Sequence, residues 1–525
     1  MIKRSIYFFL LCLFSVPAIS QTTTAARGSG RYGFRPALIR GPYLQVATSN
    51  SIIIRWRTDE LDVSFVRYGT EPGKLDGLAG NSNRTTEHLV TLNGLQPQTK
   101  YYYLIEGFKD TLQGDKNNHF TTLPLIGKED KYRIGIFGDC GTSIPNQINA
   151  RNQFVKYLGN DVLTAWILLG DNAYSFGTDN EYQQNFFNAY KDNLLKTSPL
   201  FPAPGNHDYH DEPYAAEIAQ RSGEVPYYLN FTMPIKGEAG GVPSHTPSYY
   251  SYNIGNIHLI SLDSQGSQEN GLRLFDTTSS QVKWVKADLE ANRNKGWIIV
   301  YWHHPPYSMG SHNSDTESQM RKIRENFIPI LERYGVDLVL CGHSHSYERS
   351  KLMQGHYGSE ATFSPEKNLL STSSAFYDGT NNSCPYIKDS TGRGTVYVVS
   401  GSAGRVDYSQ PTYPHDALPY SDVTIGGASI LEVEGNRLDL KWICADGKVR
   451  DHFTMMKDVN KRTTINIKRG ETVTLKASYI GKYEWKGVNK KTRSIEVKPP
   501  VGTTEYWVKD PYTCLEDVFV VSVSR

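Results

Sequence analysis

Leu168-Leu169-Gly170-Asp171-Asn172-Ala173-Tyr174 is the stretch whose reading decides the fold. The apolar run Trp166-Ile167-Leu168-Leu169 reads as a short buried strand that stops at a glycine and a carboxylate. The Asp171 carboxylate can bridge two cations, and the Tyr174 phenol, once ionised, is a strong ligand for ferric iron. Four other segments repeat this design. Gly138-Asp139-Cys140-Gly141 follows Ile134-Gly135-Ile136-Phe137, and Gly205-Asn206-His207-Asp208 follows the shorter Leu200-Phe201-Pro202 run. Val300-Tyr301-Trp302-His303 closes an apolar run, and Gly342-His343-Ser344-His345 follows Asp337-Leu338-Val339-Leu340. Each of the five carries an oxygen or nitrogen donor suited to a hard or borderline metal.

Between these segments the hydrophobic period becomes helical, over 150–158, 181–195, 281–292 and 319–334. Apolar strands alternating with helices predict an α/β layered domain over 131–457, a β-sandwich flanked by helices. Ligands of such sheets sit beyond the carboxyl ends of the strands, where all five segments fall. One Asp after a strand is usually a turn former, and a single His is usually a satisfied polar group. Asp139, Asp171, Tyr174, Asn206, His303, His343 and His345 at five strand ends together predict a dinuclear metal site.

The flanks read as all-β sandwich modules. In 38–123, Ile52, Ile54 and Trp56 alternate onto one face. Leu95-Gln96-Pro97-Gln98-Thr99-Lys100-Tyr101 then resembles the tyrosine corner of fibronectin type III domains, in which a buried phenol bonds back to the main chain. In 460–525, Thr472-Val473-Thr474-Leu475, Tyr483-Glu484-Trp485, Ser494-Ile495-Glu496-Val497, Glu505-Tyr506-Trp507-Val508 and Val518-Phe519-Val520-Val521 are evenly spaced short strands, resembling bacterial immunoglobulin-like domains. Residues 380–425, rich in Gly, Pro, Ser, Asn and Tyr, read as long loops near the site.

A chain of 525 residues with 38% apolar content supports about three domains. A net charge of +2 with no basic run gives no support for nucleic-acid binding. Residues 1–20 read as a signal peptide, with Lys3 and Arg4 before an apolar core and Ala18-Ile19-Ser20 as the cleavage site. Residues 21–37 follow as a flexible leader. No later stretch is apolar and long enough for a membrane helix, so the expectation is an exported protein: secreted, periplasmic or at the cell surface. Without Cys12 five cysteines remain, which cannot all pair. Export permits a disulfide, with Cys384 and Cys444 as the candidate pair, while Cys140 and Cys341 read as small buried residues at strand ends.

The order and spacing of the five segments resemble the purple acid phosphatases among the calcineurin-like metallophosphoesterases. The resemblance implies Asp139, Tyr174 and His345 on Fe³⁺, and Asn206, His303 and His343 on a divalent Fe, Zn or Mn, with Asp171 bridging. The family's Val-x-x-His spacing favours His303 over the adjacent His304 as the ligand. It implies hydrolysis of a small phosphate ester by in-line attack of metal-bound hydroxide, without a phosphoenzyme. Five metal charges less two carboxylates, a phenolate and a hydroxide leave about plus one, which attracts a phosphate dianion. His207, oriented by Asp208, and His312 are the candidates to protonate the leaving group. Asn313 stands where plant-type members often have a second histidine, so their substrate contacts are not carried over. The alternatives are a phosphodiesterase of the same superfamily, or a surface adhesion or glycan-binding protein with an inactive esterase domain. The flanking β modules are the candidates for glycan or surface contact.

Overall fold

The computed structural model describes residues 35–211, 223–389 and 391–525. The signal-peptide reading of 1–20 and nearly all of the proposed leader lie outside the described residues.

Two seven-stranded sheets form the central domain. In the first, Lys131–Phe137, Ala165–Leu169 and Leu200–Ala203 are consecutive parallel neighbours. This sheet continues antiparallel from Lys131–Phe137 through Gly427–Glu434, Arg437–Cys444 and Val449–Lys457. In the second, Ile257–Ser261, Trp297–Trp302, Leu338–Cys341 and Val396–Ser400 run parallel. Leu168 and Leu169 in one sheet and Val300 and Trp302 in the other are fully buried, consistent with strands covered on both faces. The sheets touch through the Ser400–Ser429 hydroxyl contact of 2.9 Å and through the Tyr301 hydroxyl, which donates to the Phe201 carbonyl at 3.2 Å. The carboxyl ends of both parallel sets therefore open on one crevice.

Two of the expected helices depart from regular α geometry. Residues 179–190 form a continuous helical stretch with a π segment at Tyr182–Phe187. The wider turn lets Phe186 stack on Trp166 while Tyr182 points its hydroxyl at Asp208, 2.5 Å away. In Ser318–Arg333 the π segment is Ile323–Phe327. It precedes Pro329, which has no N–H and would crowd the carbonyl four residues back in an α-helix.

The N-terminal strands form a six-stranded sheet around Trp56, whose ring stacks on His88. The Tyr101 hydroxyl accepts from the Gln96 main-chain N–H at 3.0 Å, which is the tyrosine-corner contact. This module is held to the central domain by Arg40 and Arg57, which both pair with Asp179, and by Tyr43 and Arg55, which both donate to the Asn230 carbonyl at 2.8 Å. At the other end, Arg462–Lys468, Glu516–Ser524, Gly502–Lys509 and Glu484–Trp485 make a four-stranded sheet beside the pair Val473–Lys476 and Ser494–Val497.

The disulfide joins Cys384 to Cys514, across 130 residues, and not to Cys444 as expected. Cys444 ends strand Arg437–Cys444 with its side chain in the main apolar cluster, where it is a buried free thiol. Cys140 and Cys341 are buried free thiols.

Candidate metal centre

Five strand ends bring the predicted donors together. Asp139, Asp171 and Asn206 follow the three parallel strands of the first sheet, and His303 and His343 follow neighbouring parallel strands of the second. The motif glycines are explained by crowding. A Cβ on Gly205 would lie 2.2 Å from Asp171 Oδ1, and one on Gly342 would lie 2.5 Å from Asp139 Oδ2. Asp139, Asp171 and His343 themselves hold φ of 56°, 52° and 67°, left-handed conformations that concentrate where function fixes a side chain.

The Tyr174 hydroxyl is the hub of one half. It lies 3.0 Å from Asp139 Oδ1, 2.9 Å from Asp171 Oδ2 and 3.0 Å from His345 Nε2. One hydroxyl proton cannot serve three acceptors. His303 Nε2 is the hub of the other half, 3.0 Å from Asn206 Oδ1, 3.2 Å from His343 Nδ1 and 3.3 Å from Asp171 Oδ2. Donors about 2.1 Å from one cation stand about 3.0 Å apart at octahedral angles and about 3.4 Å apart at tetrahedral ones. The seven donors thus have the spacings of two adjoining coordination shells sharing Asp171, and the residues fit a dinuclear centre.

Each imidazole is aimed by a partner behind it. His303 Nδ1 donates to the Leu169 carbonyl at 2.9 Å, which frees Nε2. His345 Nδ1 contacts Asp407 Oδ2 at 2.5 Å. His343 Nε2 faces Glu317 Oε2 at 3.4 Å, which leaves Nδ1 for the centre. Asn206 donates through Nδ2 to Asp211 at 2.8 Å, which turns its oxygen toward His303.

The titration behaviour shows a demand for positive charge. Burial and the carboxylates of Asp139 and Asp171 push the Tyr174 phenol well above its ordinary range. Burial opposes protonation of His303, but Asp171 lifts it to about 9. Burial likewise opposes protonation of His345, which Asp139 and Asp407 lift to about 9. Burial works against the Asp171 carboxylate, yet His303 holds it well below its usual value. Burial, helped by His312 and His303, lowers His343 to about 3, which keeps a neutral, ligating imidazole.

His207 and His312 line the same cleft, of about 450 Å³, with Asp171, Asn206, His343 and His345. The His207 ring packs on Tyr174 with centroids 4.5 Å apart, and its Nε2 lies 3.8 Å from Asp171. His312 stacks on His343 at 3.7 Å, and its Nδ1 pairs with Glu317 at 2.9 Å. Asp208 does not orient His207. It is fully buried and accepts from the Gly205 main chain at 2.7 Å and the Asn172 side chain at 2.9 Å, while His207 Nδ1 bonds the Ser175 carbonyl at 2.5 Å. Burial and the neighbouring Asp171 charge raise Asp208 to about 7, so it braces the loops. His304 bonds Ser264 at 2.8 Å and packs behind His343. Glu317, Asp407 and Arg405 were not legible from the motifs. Their only sequence signals were that Glu317 sits five residues after His312 and that Asp407 falls in the Gly-rich loop 380–425.

Residues 132–347 match the model of calcineurin-like phosphoesterases, and residues 39–122 match that of the purple acid phosphatase N-terminal domain. The chain belongs to the purple acid phosphatase family. It is 28% identical over 334 residues to purple acid phosphatase 21 of Arabidopsis thaliana, covering 61% of this chain and 68% of that protein. It is 26% identical over 445 residues to acid phosphatase type 7 of Danio rerio, covering 78% and 89%. A solved purple acid phosphatase from yellow lupin (Lupinus luteus) seeds shares the fold, with a TM-score of 0.61 and 20% identity over 81% of this chain and 74% of that one. This purple acid phosphatase family member is accordingly a metal-dependent phosphoesterase with a dinuclear site built from His and Asp ligands.

Proposed function

We propose that the chain is an exported acid phosphatase acting on phosphomonoesters. Fe³⁺ belongs to the Asp139, Tyr174 and His345 half, and a divalent Fe, Zn or Mn to the Asn206, His303 and His343 half. The observation that carries this reading is the Tyr174 hydroxyl within 3.0 Å of two carboxylates and an imidazole. That cluster suits an ionised phenol on a trivalent cation. The names of the Arabidopsis and zebrafish relatives support acid phosphatase activity. Two cations held there would supply Lewis-acid activation of water and neutralise phosphoryl charge.

The chain's own residues then bind and protonate. Asn206 and His343 line the cleft as candidate ligands, with their second polar atoms held by Asp211 and Glu317. His207 has its Nδ1 committed to the Ser175 carbonyl, so its other nitrogen is the one that can hand a proton to a leaving alcohol. His312, held by Glu317, lines the same cleft as the second donor. Export is supported by the pattern of residues 1–20 and by the Cys384–Cys514 disulfide, a bond stable in oxidising compartments. No helix among the described residues is long and apolar enough to cross a membrane.

The test is elemental analysis with hydrolysis of a monoester and a diester of one phenol. The expected result is iron plus a divalent metal, a visible absorption band, and preference for the monoester. A colourless, iron-free and fully active preparation would remove the ferric assignment, and preference for the diester would replace the substrate class.

A further inference from the structure

The loop after strand Val396–Ser400 carries a cation that none of the five motifs contains. Its backbone is pinned on both sides of the site. Ala403 N–H donates to the Gly138 carbonyl at 3.3 Å, beside Asp139. Gln410 N–H donates to the Gly310 carbonyl at 2.8 Å, and its side chain donates to the Ser311 carbonyl at 2.7 Å. Arg405 and Asp407 stand between these anchors and line the cleft with Asp171, Asn206 and His345. The guanidinium lies over the Tyr174 ring, 5.6 Å from its centroid.

Donor accounting shows that this guanidinium is not used up by the protein. His345 Nδ1 has two neighbours, Asp407 Oδ2 at 2.5 Å and Arg405 Nε at 3.1 Å. A ring nitrogen that donates to a carboxylate cannot also accept from a guanidinium. The shorter, charge-assisted contact to Asp407 prevails, because it also leaves His345 Nε2 free for the metal centre. Arg405 then keeps one anchor, Nη2 to Asp407 at 3.1 Å. Its Nε–H faces a nitrogen that cannot accept it, and its Nη1 has no acceptor among the described residues. Its side chain is 46% exposed, on the cleft side. Asp407 thus aims two groups at once, an imidazole toward the centre and a guanidinium across its mouth.

We propose that Arg405 is a substrate-contact residue that binds a non-bridging phosphoryl oxygen and biases the enzyme toward dianionic monoesters. This rests on the phosphomonoesterase reading above. A guanidinium has geometry matched to two phosphoryl oxygens, and its attraction for a dianion is about twice that for a diester monoanion. Tyr174 beneath it keeps the side chain from collapsing into the site.

The experiment compares the metal-loaded wild type with R405A and R405K. It measures binding of inorganic phosphate by calorimetry, kcat/KM for p-nitrophenyl phosphate and bis(p-nitrophenyl) phosphate, and metal content. In R405A, phosphate affinity should fall about tenfold and monoester kcat/KM by about ten- to a hundredfold, with diester kcat/KM changed less than about threefold. R405K should recover part of the phosphate affinity. Metal content and the visible band should be those of the wild type. Unchanged phosphate affinity in a metal-loaded R405A would overturn the proposal. So would loss of metal in R405A and R405K alike, since Arg405 would then only prop His345. A wild type that binds phosphate but does not cleave the monoester would instead break the reading of the function.

Discussion

The two halves of the metal centre share Asp171 and differ in the charge of their other donors. One half gathers Asp139 and the Tyr174 phenol around a single imidazole, His345. The other gathers Asn206, His303 and His343, which would ligate a metal as neutral donors. With Asp171 counted on both sides, the first half offers up to three anionic donors and the second only one. Such a difference selects for cation charge more than for size, because a buried anionic cluster is costly unless its charge is matched. The supporting groups differ too. His303 leans on a main-chain carbonyl inside the first sheet, whereas His345 leans on Asp407 from a surface loop. The half richer in anionic donors is thus braced by the more accessible segment.

The comparison can be broken most severely at the shared residue. Asp171→Asn should lose both metals and lower kcat/KM by on the order of 10³-fold or more, read by elemental analysis with phosphatase assay. Retention of either metal at wild-type occupancy would show that the halves do not depend on a common bridge. Next comes His343→Ala, which should empty only the neutral half. Activity should fall by on the order of 10²-fold while the iron and the visible band remain. Loss of colour in this variant would mean that the halves cannot be filled separately.

Glu317→Gln is a milder form of the same test. It should weaken the divalent metal by about 10- to 100-fold and leave iron untouched, as read by chelator titration against activity. Tyr174→Phe has the smallest effect on turnover, about tenfold or less, since Asp139, Asp171 and His345 remain. Its visible absorption should disappear altogether. A coloured Tyr174→Phe protein would detach the phenol from the iron and return the first half to an ordinary divalent site.

The gathering of the seven proposed donors was legible because each sits within a few residues of an apolar strand end. The strand periodicity and the donor type can be read in the same short window. The parallel order of the strands then had to bring those ends together. Tyr101 was legible for the same reason, since its partner Gln96 is five residues away. Asp407, Glu317 and Arg405 reach His345, His343 and Tyr174 across 62, 26 and 231 positions of chain, and none belongs to a strand-end motif. Asp208 misled because adjacency to His207 looked like a pairing, whereas a short helical turn sends the two side chains in different directions. The disulfide partner of Cys384 was equally opaque. Counting cysteines says nothing about which thiols face the core.

That disulfide has a mechanical result. The main-chain bridge between the central sheets and the C-terminal strands is the short segment around Asp458 and Asn460, and the Cys384–Cys514 link runs in parallel with it. A protease that severs the bridge therefore releases nothing. The nicked molecule migrates as one band without thiol and as two with it. The terminal module is clasped twice, so a first cut in the main-chain bridge leaves it attached.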